Sequence, residues 1–100
     1  MDERDLRQLT LMRKQIVLYQ SGDIGLQSLV GDLIFLRDAL SDVEKKWEYE
    51  FTGYVVDLDS AYAYALEKNS GELEPISQKI VSEVLPKLLG LIKQKEDDAT

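Results

Sequence analysis

The chain has 100 residues, 12 of them Lys or Arg and 19 Asp or Glu, and it holds neither cysteine nor histidine. That length fits one domain, and the missing residue types exclude disulfides, thiolate nucleophiles, zinc ribbons and the usual imidazole base. The net charge of −7 argues against direct nucleic-acid binding, which needs clustered Lys and Arg.

Helical periodicity runs through the whole sequence. Leu6, Leu9, Met12, Ile16 and Tyr19 recur at spacings of three and four and predict a first helix over 3–21. Ser21-Gly22 closes it, because glycine accepts the left-handed backbone of a helix end. Leu26, Leu29, Val30, Leu33, Leu36 and Leu40 predict a second helix over 26–40, in which Gly31 would permit close helix packing. Ser41-Asp42-Val43-Glu44 reads as a capping box opening the longest helix, 42–69. Its seam is Trp47, Phe51, Tyr54, Leu58, Ala61 and Ala65, with Gly53 a candidate bend. Asn69-Ser70-Gly71 supplies the stop. Pro75 opens a fourth helix over 75–94, with Ile76, Ile80, Val84, Leu88, Leu91 and Ile92 inward and Pro86 expected to kink it. The polar tail, 95–100, is expected to fray.

Four helices joined by short turns predict an all-α fold, a four-helix antiparallel up-and-down bundle forming one domain. No strand pattern or repeat competes with it. The least charged stretch, Gln15 to Leu36, is broken by Asp23 and Asp32, so no membrane span is expected. The opening MDERDLRQLT carries no apolar signal core, and cytoplasmic residence is the expectation.

The charge is uneven. Residues 1–37 and 75–100 are each neutral, whereas Asp38 to Glu74 holds ten acids and three lysines, which is the entire −7. That segment contains the third helix. Tyr49, Val56 and Ala63 fall opposite its seam, so the helix is apolar on nearly every side, interrupted by Asp57 and Asp59. Either it is the most enclosed member of the bundle, or it offers a tyrosine-and-carboxylate surface to another molecule.

Trp47 and Phe51 read as core, and Tyr54, Tyr62 and Tyr64 as packed rings with hydroxyls at the rim. Glu44, Glu48 and Glu50 read as solvated helix-face charges. Asp57 and Asp59 are poor helix formers among apolar neighbours and invite a functional reading. Two residues apart, they point roughly 200° apart around the helix and cannot converge on one substrate atom. Nor is there the Glu-x-x-His of carboxylate metal bundles, a phosphate-cradling glycine loop or a serine elbow. A non-enzymatic binding protein without cofactor or metal is the expectation.

The runs Ile16–Leu40, WEYEF (Trp47–Phe51) and LDSAYAYAL (Leu58–Leu66) resemble the small helical immunity proteins of bacterial toxins, of the colicin D immunity and contact-dependent growth inhibition type. That resemblance implies a bundle that binds and blocks a basic toxin nuclease domain, with acidic residues taking the place of the nucleic-acid backbone. The matching candidates are Glu48, Glu50, Asp57 and Asp59, with Tyr62 and Glu67 nearby. It implies a protein partner, no direct nucleic acid, no membrane, and a monomer or weak homodimer. The alternative is a homodimeric helical adaptor that self-associates through its third helix.

Overall fold

A computed structural model describes residues 3–69 and 72–99 of the chain. Each helix starts and stops for a local reason. Helix α1 (Glu3–Gln20) ends in a Schellman motif: the Gly22 N–H donates to the Tyr19 carbonyl and the Asp23 N–H to that of Leu18. This motif needs a left-handed residue, and Gly22 supplies it with φ of 82°. Helix α2 (Leu26–Asp38) follows, then α3 (Lys45–Asn69) and α4 (Pro75–Ala99). Of the expected stop at Asn69-Ser70-Gly71, Ser70 and Gly71 lie outside the described residues.

The side chains that cross between helices set their directions. Arg37 donates to Thr52 Oγ1 at 3.0 Å and the Tyr62 hydroxyl to Gln27 Oε1 at 3.2 Å, so α2 and α3 run antiparallel. Trp47 Nε1 donates to the Leu91 carbonyl at 3.1 Å and Ser77 Oγ to that of Ala61 at 3.1 Å, which does the same for α3 and α4. Helix α1 packs on α2 and α4, and α3 on α2 and α4. The result is an all-α, four-helix up-and-down bundle. A 25-residue helix is about 37 Å long, which matches a longest dimension of 42 Å.

The core runs along the bundle axis. Leu9, Met12 and Ile16 meet Leu29 and Leu33, Phe51 and Leu58, and Leu88 and Ile92, all fully buried. Trp47 stacks on Phe51 with ring centroids 5.1 Å apart. On α3 the buried stripe departs from the expected seam at one place: Val55 is buried, while Tyr54 is half-exposed. The core-facing arc is wide enough to hold two adjacent positions, and the smaller aliphatic side chain takes the enclosed one.

Four further expectations are corrected. The capping box does not form. Asp5, fully buried in the first turn of α1, takes the Ser41 N–H and the Asp42 N–H at 2.9 Å each, and the Ser41 hydroxyl at 3.1 Å. Glu44 is instead the residue before the helix, its carbonyl accepting the Glu48 N–H, so α3 begins at Lys45 and not at 42. Second, α2 stops at Asp38 rather than 40, where the Ala39 and Leu40 N–H groups bond three residues back. Third, α4 continues to Ala99 instead of fraying from 95. Its last turns are held by ion pairs: Lys95 Nζ on Glu44 Oε1 at 2.7 Å, and a fork from Arg13 to both Glu96 oxygens at 2.9 and 3.0 Å. The Glu96 carboxylate raises the Arg13 guanidinium pKa further above its ordinary value. Lys95 itself is only 7% exposed, although no sequence pattern marks it.

Fourth, Gly31 permits no close approach. It is exposed, and a Cβ built there meets nothing within 4 Å. The glycine therefore carries only its cost in backbone entropy. Gly31→Ala is expected to raise the unfolding free energy by about 0.5–1 kcal/mol, read as an upward shift in the urea midpoint at unchanged slope.

Helix α4 starts at Pro75, whose missing N–H falls where no partner is needed. The Glu74 carboxylate caps the turn, accepting the Ile76 N–H at 3.1 Å, the Ser77 N–H at 2.8 Å and the Ser77 hydroxyl. The Ser77 hydroxyl, with help from the two backbone bonds, lowers the Glu74 pKa below its ordinary 4.5. A carboxylate depressed by folding stabilises the native state above its unfolded pKa, and that stabilisation is lost as pH falls through the folded value. The melting temperature is thus expected to decline below about pH 4.5. In Glu74→Gln that component of the decline should vanish from a pH series of melting curves.

Candidate functional site

Of the two sequence readings of the third helix, the structure selects exposure. Among the described helices α3 packs on α2 and α4 alone, and the side opposite its buried stripe faces solvent. Tyr49 is 84% exposed and Val56 54%, with Gly53, Ser60 and Ala63 completing the outer row. Such a row at 3.6-residue periodicity is a continuous surface about 25–30 Å long.

The candidate residues lie around that row. Glu48, Glu50, Asp57, Asp59 and Glu67 are all exposed. Helix geometry sets Glu48 and Asp59 on the flank nearest α2, and Glu50 and Asp57 on the flank nearest α4. Glu67 closes the outer row itself. Between Trp47 and Glu67 there are five acids and no base. Among the described residues Glu48, Glu50, Asp57 and Asp59 have neither an ion pair nor a side-chain hydrogen bond. These are carboxylates with unused acceptor capacity.

Tyr62 is different. It is half-buried, and its hydroxyl is spent on Gln27 of α2, so it braces the α2–α3 contact rather than joining the outer row. Tyr49, Val56 and Tyr64 are not among the sequence candidates, yet they provide the exposed apolar area of this face. Their signal was present in the spacing opposite the seam. What was missing was proof that this side is uncovered.

The structure also redistributes the central charge. Glu44 is committed to Lys95, Glu74 to the α4 cap, and Asp38 to Arg37 at 3.0 Å. A cleft of about 320 Å³ opens where α3 begins and α4 ends, lined by Glu44, Trp47, Glu50, Leu91, Lys95 and Asp98. It adjoins the acidic face at Glu50. Among the described residues no three carboxylates converge in a geometry that would hold a metal ion, and no helix is long and apolar enough to cross a membrane.

Comparison with protein-family models, with curated proteins and with solved structures gave no match for this chain.

Proposed function

We propose that this bundle is a non-enzymatic, immunity-type inhibitor that neutralises a basic bacterial toxin domain, of the nuclease kind, through the outer face of α3. The observation that supports it most is a solvent-facing row of Tyr49, Val56 and Tyr64 bordered on both flanks by carboxylates that have no partner among the described residues. Such a surface matches a basic cleft with an apolar floor. The carboxylates speed encounter and reject acidic competitors, and the aromatic area supplies anchoring. A nuclease cleft evolved to hold phosphates carries that positive potential.

The same observation weighs against self-association through α3. A second copy docked on this face would oppose five acids with five acids, and like charges across an interface cost several kcal/mol. The adaptor reading loses its proposed contact.

Co-expression with the toxin encoded by the neighbouring gene is expected to restore growth. Asp57→Lys with Asp59→Lys should abolish rescue while leaving stability within about 0.5 kcal/mol, because both positions are exposed. Circular dichroism melting separates loss of binding from loss of fold. Rescue retained by the double variant would sink the site; a neighbouring gene without a toxin domain, or growth never restored, would sink the function.

A further inference from the structure

Phe35 on α2 has no role in the fold or in the proposed toxin site. It is 72% exposed, on the side of α2 opposite Leu26, Leu29, Leu33 and Leu36. Ser28, also exposed, lies two helical turns away on the same line. The surroundings of this line carry opposite charges on its two sides. Towards α1 stand Arg4, Arg7 and Lys14, all exposed, with exposed Glu3 beside the first two, so that this side is basic by two charges; exposed Leu11 lies between Arg7 and Lys14, and Leu18 one turn beyond. Towards α3 stand Glu48 and Asp59, with exposed Lys45 one turn before Glu48, so that this side is acidic by one charge. Between them Arg37 and Asp38 neutralise each other, and Asp32 is half-buried.

The heights along the bundle also match. The Asp5–Ser41 bonds at one end, with Tyr19 and Gln27 lining one cleft at the other, set the α1–α2 register. The Arg37–Thr52 and Tyr62–Gln27 bonds set that of α2 and α3. Carried across α2, these registers put Arg4 and Arg7 within about one turn of Glu48, and Lys14 within about one turn of Asp59.

A patch with an aromatic centre, positive on one side and negative on the other, is complementary to itself. We propose that a second copy of this chain occupies it, α2 packing on α2 in parallel about a two-fold axis that runs along the helices. Phe35 then meets the partner's Phe35, and the basic α1 side of each protomer faces the acidic α3 side of the other at equal height. A two-fold axis across the helices would set α1 against α1 and α3 against α3, like charge on like. The contact is isologous and closes at two copies. It is held by one aromatic pair and by charges within about a Debye length, which makes it weak and salt-sensitive. It does not depend on the toxin reading, and it leaves Glu50, Asp57 and Glu67 uncovered.

Sedimentation velocity on the intact chain at roughly 0.05 M salt should show a reversible species of twice the monomer mass by about 1 mM protein. Phe35→Asp should remove it, with helicity unchanged. Arg7→Glu with Lys14→Glu should weaken it at least tenfold, and adding Glu48→Lys with Asp59→Lys to that variant should restore it. Orientation is tested by disulfides in this otherwise cysteine-free chain. Ser28→Cys, which keeps Phe35, should cross-link under oxidation, because in a parallel pair every outward position meets its own copy. A chain that stays monomeric, a dimer indifferent to Phe35→Asp, assemblies that grow past two copies, or a dimer in which Ser28→Cys does not cross-link would overturn the proposal.

Discussion

Replacing Trp47 by Ala is expected to lower the unfolding free energy by about 3–5 kcal/mol, a large share of what a domain of this size possesses. Trp47 is buried at the start of α3, where it does three things at once. Its ring stacks on Phe51, its apolar area fills the space towards Leu91, and its indole N–H satisfies the Leu91 carbonyl. Truncation leaves a cavity that the neighbouring helices can only partly close, and it removes an aromatic pair worth about 0.5–1.5 kcal/mol beyond area. Trp47→Phe separates these contributions. It keeps most of the packing and loses the indole donor, so its cost should be less than half that of the Ala variant. Urea unfolding followed by circular dichroism is the suitable measurement, since the only tryptophan is the one being changed.

Replacing Asp5 by Ala should cost about 3 kcal/mol or more, although no apolar contact is lost. Two backbone N–H groups, of Ser41 and Asp42, donate to its carboxylate, and hydrogen bonds to a charged group are each worth about 1.5–3 kcal/mol. Removing the acceptor strands both donors at a partly buried joint and frees the loop between α2 and α3 from the first turn of α1. Asp5→Asn, which keeps one acceptor oxygen, should recover part of the loss. Glu3→Ala, two residues away and exposed, should stay within about 0.5 kcal/mol. Because Asp5 lies outside the acidic face of α3, any fall in toxin neutralisation by Asp5→Ala should disappear below its unfolding temperature.

Both residues bear on what could be read in advance. Trp47 was legible because its spacing to Phe51 and Leu58 is helical and aromatic residues at such spacing fill bundles. Asp5 was not, because its partners are 36 and 37 positions further along the chain. The same distance undid the expected capping box. Ser41 and Glu44 have the right spacing for a local cap, yet Asp5 claims the first and Lys95 the second. Local propensity lost to tertiary partners that bring a full charge. The α4 tail shows the converse: residues 95–100 read as fraying, and Glu96 and Lys95 hold the helix to Ala99 by reaching α1 and the α2–α3 loop.

The candidate face divides in a similar way. That Glu48, Glu50, Asp57, Asp59 and Glu67 share one helix with no base between them is a property of the sequence. That Tyr62 turns inward to Gln27 while Tyr49 stands in solvent is a property of the packing.

By itself, then, the sequence determined four amphipathic helices, most of their core positions, their order, and a central segment bearing all of the −7. A period of 3.6 residues suffices for that, because it sorts side chains onto faces without reference to any other part of the chain. Only the tertiary structure decided which charges are free. Glu44 is neutralised by Lys95, 51 positions away, a partner that only folding brings to it, while among the described residues the carboxylates around Tyr49 and Val56 meet none. Asp38 and Glu74 find theirs locally, in Arg37 and Ser77. Whether a charge without a local partner is structural or available depends on the few ångströms around it, and those are set by packing between distant segments.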